Sequence, residues 1–594
     1  MKEKIQNLIE KALKNLSFEV HSFSIDHPDD FSHGDYSTNV ALVCAKELKM
    51  KPRELAEQIS AKLSEHSNIL KNVGISKVEV AGAGFINFYL SPEFFTESVK
   101  EILKEKENYG KSDKMSGEKI MVDYTDPNPF KEFHIGHLMS NAIGESVCRI
   151  FECNGAKISR ACYQGDVGLH VAKAIWGILQ DKNNFPEDNA HLSTKIAFLG
   201  KSYVLGSQKY EDDPKAVEEI KNINKQIFEK SDTEINKIYE KGKKWSLLHF
   251  DEIYKKLGTK FDHIIPESLV IKDGEEIVAE FLKKGIFEKS DGAIIFRGEN
   301  YGLHTRVFIN SQGLPTYETK DIGLAKKKNE LEKNLTASIV VTANEQNDYF
   351  KVVFKALSFI FPDYAKISKH IGHGMLRFAS GKMSSRKGNV ITGESLISQV
   401  EDIVKEKVKD RNYSEIEKKD IVEKVAIGAI KYSILHQAIG GDIIFDFDKS
   451  ISFEGDSGPY LQYSYVRAQS ILAKAGKIEL RSMNYACPVA KNSDFSATGE
   501  LRMKEKTGKE TEKLEKMLYR FPEVVERAGR ESAPHYIATY LTELAGAFNG
   551  FYANEKIVDE KDPNSPYKIS LTEAVSIVLK NGLNLLGIGV PEKM

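Results

Sequence analysis

His134 and His137 flank Ile135-Gly136 directly after a loop that carries Pro127, Pro129 and Lys131. Imidazoles placed this way donate hydrogen bonds to anionic oxygens. A glycine between them lets a flat ring approach the backbone. The surrounding elements suit phosphate. Ile120-Met121-Val122 reads as an apolar strand, and the prolines end regular pairing. Leu138, Ala142, Ile143, Val147, Ile150 and Phe151 then recur at helical spacing. A strand, a tight loop and a helix N-terminus point free N–H groups and the positive end of the helix dipole at a bound anion. A His-x-x-His match alone is more often without function, so the rest of the chain has to supply context.

Further candidates lie where an open parallel sheet would bind a ligand. Gln164-Gly165-Asp166-Val167-Gly168 follows a second strand, around Ile158 to Arg160, and its glycines suggest backbone close to a ligand. Asn344 to Asp348 follows the apolar strand Ser338 to Val341. A polar cluster at the C-terminal end of a parallel strand is a favoured ligand position. Tyr317 and Asp321, four residues apart, share one face of a helix.

The chain of 594 residues is too long for a single core, and about 150 residues per domain predicts three or four domains. With 41% hydrophobic and 29% charged residues, the composition is that of an ordinary soluble protein. A net charge of −2 gives no global basic signal, so a nucleic-acid partner would need local patches. No apolar run of membrane-spanning length occurs. The first 16 residues read as an amphipathic helix rather than a signal peptide, which predicts a cytoplasmic protein. Five scattered cysteines, Cys44, Cys148, Cys153, Cys162 and Cys487, fit reduced thiols, and no metal site is expected.

Along the chain, residues 1–109 read as a small α+β module, with apolar runs on either side of Gly82-Ala83-Gly84 as strands around a turn. Strands alternate with helices from residue 110 to about 395, interrupted by a helical insertion around 185–265; strands return between 290 and 310. The strands fade after that, leaving a helical connection over 396–458 and a helical bundle over 459–594. Residues 475–510 read as a solvated segment.

His134-Ile135-Gly136-His137, followed far downstream by Lys382-Met383-Ser384-Ser385-Arg386, resembles the two nucleotide-binding motifs of class I aminoacyl-tRNA synthetases. Val122 to Asn128 with Lys131, Gln164 to Gly168, Tyr317 with Asp321, and Gly82 to Asn87 resemble the arginyl-tRNA synthetase family in particular. So do the closing helices, with Phe521 to Val525, Pro534-His535, Ala547 to Asn549, Phe551-Tyr552 and the tail from Leu585 to Met594. The resemblance spans nearly the whole chain.

It implies a Rossmann-type parallel-sheet catalytic domain, an N-terminal α+β module and an all-α anticodon-binding bundle. The activity implied is ATP-dependent ligation of L-arginine to tRNA(Arg) through an arginyl-adenylate, with tRNA required for activation. ATP and Mg²⁺ are the implied cofactors, and a monomer without membrane attachment is expected. ATP is assigned to His134, Gly136, His137, Met375, Lys382, Met383, Ser384 and Ser385. Arginine is assigned to Asp123, Asn128, Tyr317, Asp321 and Gln346, because a guanidinium needs carboxylates and aromatic faces. Lys131, His134, His137, Lys382 and Arg386 carry the catalytic role. Phe85 and Asn87 are expected to read a D-loop base, and Tyr463 and Met594 lie near the anticodon.

Two departures from the pattern matter. Ser385 replaces the second lysine of the downstream loop, a loss that Lys131 offsets in the arginyl branch by reaching the α-phosphate. Val167 stands where an aromatic is frequent, which touches the packing of the pocket. A cysteinyl-type synthetase and a non-catalytic tRNA-binding paralogue are the alternative readings.

Overall fold

The computed structural model describes residues 1–16, 18, 22–65, 67–379, 392–479 and 508–594. The sequence features at Lys382, Met383, Ser384, Ser385 and Arg386, and most of those at 475–510, lie outside the described residues. The chain forms two compact units. One comprises Met1–Tyr109, Ala468–Phe521 and Gly546–Val578; the other comprises Gly110–Arg467, Pro522–Ala545 and Leu579–Met594.

The larger unit is built on a five-stranded parallel sheet. Its strands are β1 (Lys119–Tyr124), β2 (Lys157–Gln164), β3 (His263–Pro266), β4 (Ala337–Ala343) and β5 (Ser368–His373). They lie in the order β5-β4-β1-β2-β3, every pair parallel. In β1, Met121, Val122 and Tyr124 are wholly buried, as expected for a strand with both faces covered by crossover helices. The strand order reverses between β1 and β4, and open sheets bind ligands outside the carboxyl ends of the strands at such a point. Helix α1 (Ile135–Cys153) follows β1 and buries Leu138, Ala142, Ile143, Val147, Ile150 and Phe151.

The insertion between β2 and β3 contains three consecutive helices, Leu192–Asp212, Pro214–Glu229 and α2 (Thr233–Leu257). They share an apolar cluster, which includes Trp245 of α2, with Phe130, Val171 and Trp176. Val167 is buried in that same cluster. Its small side chain therefore contributes to packing of the insertion. Helix α3 (Glu267–Lys283) follows β3, and α4 (Tyr317–Leu331) precedes β4.

The strands between 290 and 310 form no part of the parallel sheet. Glu288–Ser290, Ala293–Phe296 and Arg306–Ile309 make a separate antiparallel sheet. A short strand also occurs in the region expected to be helical: Ile443–Phe445 pairs in parallel with Leu376–Phe378. Three residues are too few to show a period of two in sequence.

Asp166 holds the insertion to the sheet. Its carboxylate accepts from Lys243 Nζ at 2.6 Å, Tyr239 Oη at 2.8 Å, Ser268 N at 2.9 Å and Ser268 Oγ at 2.6 Å. Burial opposes ionisation, but Lys243 and Ser268 hold the carboxyl below its ordinary value. Asp166 thus ties α2 and the start of α3 to the end of β2, and is a buried strut rather than a ligand contact. Asp166→Ala strands Lys243 and is expected to lower stability by about 2–4 kcal/mol. Urea denaturation measures this.

The smaller unit contains a four-stranded antiparallel sheet in the spatial order Ile25–Asp26, Tyr36–Thr38, Phe85–Leu90, Ile75–Ala81. The last two form a hairpin around Gly82-Ala83-Gly84. Helix Lys2–Asn15 buries Ile5, Ile9, Ala12 and Leu13, the stripe its apolar spacing dictates. These pack with Ile86 and Phe88 of the sheet.

Candidate active site

The loop between β1 and α1 carries three non-glycine residues with left-handed backbone: Thr125 (φ 81°), Asp126 (φ 47°) and Phe130 (φ 66°). Each such residue costs on the order of 1–3 kcal/mol and persists only where its surroundings over-determine it. Here they do. Thr125 N donates to Ser140 Oγ at 2.9 Å, and Asn141 Nδ2 donates to Thr125 Oγ1 at 3.0 Å. Phe130 N donates to Ser246 Oγ of α2 at 3.0 Å. Tyr163 N, from β2, donates to Asp126 Oδ1 at 2.8 Å. Helix α1, the insertion and the neighbouring strand therefore all shape one loop.

His134 caps α1. Its N–H donates to Nδ1 of His137 at 3.2 Å, and the rings stack with centroids 3.4 Å apart. A Cβ on Gly136 would lie 3.0 Å from His134 Cε1, so glycine leaves room for that ring. Because Nδ1 of His137 accepts, its proton is assigned to Nε2. Burial, with the Lys131 charge, brings His134 down to about 4. Burial, His134 and Lys131 push His137 well below its ordinary value. Both imidazoles are neutral at neutral pH and present N–H donors without charge. The cation beside them is Lys131, whose Nζ also lies 5.4 Å from the centre of the Tyr203 ring.

A cavity of about 500 Å³ opens at the carboxyl ends of β1, β2 and β4. Asp123, Asn128, Tyr317, Asp321 and Gln346 all line it. The fold has thus gathered all five candidate arginine residues from three separate segments. Tyr317 is 59% exposed, so its ring is open to a ligand. Tyr349 Oη donates to Asp321 Oδ2 at 2.6 Å. Gly165 also lines the cavity, and a Cβ there would lie 2.2 Å from Asn128 Oδ1. A larger residue there would push the Asn128 amide out of its place in the wall.

Asp123, assigned to arginine, already has partners within the protein. It is buried, its Oδ2 is 2.5 Å from Lys328 Nζ, and its Oδ1 accepts from Tyr163 N at 3.2 Å. Its charge is already balanced within the protein. Glu267, at the start of α3, forms an equally close pair with Lys320 at 2.5 Å, and Lys320 Nζ lies 4.2 Å from the centre of the Tyr317 ring. Glu318 is 3.5 Å from Arg306.

Sequence reasoning missed Asp126, Tyr163, Glu267, Lys320, Lys328 and Tyr349. Charges on a helix read as a solvated face, and no local pattern separates these from the others. Met375, assigned to ATP, sits between β5 and Leu376–Phe378; its N–H donates to Asp442 Oδ1 at 2.9 Å, and its side chain is exposed. Phe85 is 42% exposed on the smaller unit's sheet, whereas Asn87, two residues on and so on the same face, is buried with its Oδ1 accepting from Ser37 Oγ at 2.8 Å. Tyr463 packs against Phe453 and Arg467, and Met594 is partly buried.

The cavity is rich in carboxyls that burial makes reluctant to ionise. Asp321 is pushed up to about 6 and Glu267 to about 7, in both cases chiefly by burial. A bound cation favours their ionised forms and lowers both values. Each folded value lies above the unfolded one. In the unliganded protein each group therefore subtracts stability as pH rises through that window, with the full deficit above the folded value. A cationic ligand offsets the deficit. Affinity for arginine is thus expected to weaken about tenfold between pH 8 and pH 5 through Asp321 alone. Arginine titrations across that range measure it; a flat profile would separate Asp321 from the ligand.

Comparisons with known proteins agree on one family. Residues 98–447 match the model described as "tRNA synthetases class I (R), catalytic domain". Residues 3–90 match "Arginyl tRNA synthetase N terminal domain", and residues 461–594 match "DALR anticodon binding domain". The arginine–tRNA ligase of Clostridium kluyveri is 32% identical over 600 residues, covering 98% of this chain and 99% of its own. That of Fusobacterium nucleatum is 33% identical over 598 residues, covering 99% of each. In fold, the chain is similar to Thermus thermophilus arginyl-tRNA synthetase, with a TM-score of 0.77, 23% identity and full coverage of both chains. The Plasmodium falciparum enzyme matches with a TM-score of 0.73 and 21% identity, covering 100% of this chain and 98% of its own. The parallel sheet, with its histidine pair after the first strand, is that of a class I tRNA synthetase. Within that class, the chain belongs to the arginyl-tRNA synthetase family.

Proposed function

We propose that the protein ligates L-arginine to its cognate tRNA. The observation that carries this reading is the acidic cavity at the sheet's switch point, where Asp321 and the open ring of Tyr317 meet Asn128 and Gln346. A guanidinium has five donors, no acceptor and a fixed charge, and this wall offers carboxylates and an aromatic face.

In the first step, an arginine carboxylate oxygen attacks the α-phosphorus of ATP. The new C–O–P linkage forms as the bond from that phosphorus to its bridging oxygen breaks, and pyrophosphate leaves with the electron pair. Positioning and charge neutralisation dominate such a reaction. His134 and His137 donate N–H bonds to phosphate oxygens as neutral imidazoles, and Lys131 brings positive charge to the α-phosphate. Met375, Lys382, Met383, Ser384, Ser385 and Arg386 complete the nucleotide site. Transfer of the arginyl group to tRNA releases AMP.

Neutral imidazoles and a lysine are poor ligands for a hard cation. Mg²⁺ would therefore be held mainly by the triphosphate oxygens and would neutralise their charge. Phe85, with Asn87 beside it, is assigned to an unpaired D-loop base, since stacking on an open ring reads such bases. Tyr463 and Met594 are assigned to the anticodon end. The corresponding domains are 1–109, 110–395, 396–458 and 459–594, in a cytoplasmic monomer that binds no membrane. No helix among the described residues is long and apolar enough to cross one.

ATP–pyrophosphate exchange with arginine, run with and without tRNA(Arg), tests the reading. Exchange that needs both arginine and tRNA is the expected result. Exchange with cysteine in place of arginine, or tRNA binding with no exchange, would overturn it.

A further inference from the structure

Several charged and polar groups in the wall of the 500 Å³ cavity are already paired. Asp123 is paired with Lys328, Glu267 with Lys320, and Asp321 receives the Tyr349 hydroxyl. Thr342 Oγ1 lies 2.8 Å from His370 Nε2. One group differs. Tyr163 lines the cavity, and its Oη is enclosed without a hydrogen-bond partner. Among the described side-chain atoms of this wall, it alone is in that state. A buried hydroxyl left unpaired costs about 1–3 kcal/mol, which a bond made only in the liganded state recovers.

The phenol is well anchored. Tyr163 N donates to both Asp123 Oδ1 and Asp126 Oδ1, which clamps the main chain. The ring packs on Ile265, Val270 and Leu324. Burial, followed by the charges of Glu267 and Asp321, holds the phenol well above its ordinary value, so it stays neutral. A neutral phenol oxygen has acceptor capacity, and a guanidinium has only donors. Tyr349 takes one Asp321 oxygen and leaves the other for part of the fork; the remaining N–H groups need further acceptors.

We propose that Tyr163 Oη accepts a hydrogen bond from the substrate guanidinium, which makes Tyr163 a specificity-determining residue of the arginine pocket. This rests on arginine being the substrate. The hydroxyl is rigidly placed, so it is pre-organised for a planar donor group and would not be matched by an ammonium on a flexible stem.

Tyr163→Phe removes the oxygen and keeps the ring. Its expected effect is a rise of about tenfold in the KM for arginine, equivalent to about 1.4 kcal/mol, with kcat and the KM for ATP within twofold of wild type. The Tm of the unliganded variant is expected to equal or exceed that of wild type, because an unpaired buried hydroxyl has been removed. A KM for arginine within twofold of wild type overturns the proposal. So does a lowered Tm in the unliganded variant, which marks a structural hydroxyl. Absence of arginine-dependent exchange in the wild-type protein would instead overturn the functional reading on which the proposal rests.

Discussion

Asp321→Asn raises the KM for arginine by on the order of 100-fold or more, with the KM for ATP little changed. The size follows from burial. Removing one partner of a desolvated, hydrogen-bonded charge pair costs about 2–5 kcal/mol, because the other charge is left in a poor solvent. Asp321 lines the cavity, and burial has already raised it to about 6. Burial thus makes its ionised form costlier than a solvated carboxylate, and the arginine cation offsets that cost. The amide keeps the shape but loses the charge, and it turns N–H donors toward either Tyr349 or the guanidinium. Steady-state exchange kinetics at varied arginine measure the change. A KM within threefold of wild type would remove Asp321 from the pocket. The pH profile gives a second reading: in the variant, the weakening below pH 7 assigned to Asp321 disappears.

Lys131→Met lowers kcat by about 100- to 1000-fold, as expected when a charge aimed at the transition state is lost. Lys131 is the cation that acts on both stacked histidines, and both are neutral. In the proposed reaction the imidazoles therefore donate but do not neutralise, and Lys131 is the residue assigned to the developing phosphate charge. The variant has a second signature. Without the Lys131 charge, His134 and His137 should titrate at higher pH, which imidazole NMR signals report. Equal loss in kcat and kcat/KM would place the lost interaction in the transition state. A kcat within threefold of wild type, together with unshifted histidines, would show that Lys131 does not act at this site.

Much of the catalytic scaffold was legible because its signals are local. Ile120 to Val122 and Ser338 to Val341 are apolar runs without helical spacing, and each lies in a strand of the parallel sheet. The apolar spacing from Leu138 to Phe151 is helical, and the residues lie on α1. Tyr317 and Asp321 share a helix turn in sequence and share a cavity in space. The short strand Ile443–Phe445 and the antiparallel placement of Ala293–Phe296 were not legible. A strand's partner is set by long-range packing, and three residues carry no usable period.

The sequence by itself determined the kinds of groups available: a histidine pair at a helix start, a lysine before it, and a carboxylate one helical turn after an aromatic ring. It did so because helical and strand periods, prolines and glycines act over a few residues. The tertiary structure alone decided which charges are spoken for. Lys328 reaches Asp123 across 205 positions, Lys320 reaches Glu267 across 53, and Tyr163 is left with an unclaimed hydroxyl. Those outcomes depend on where parallel crossovers return the chain and on how much water the packed wall excludes. Neither quantity is written in any local stretch of residues.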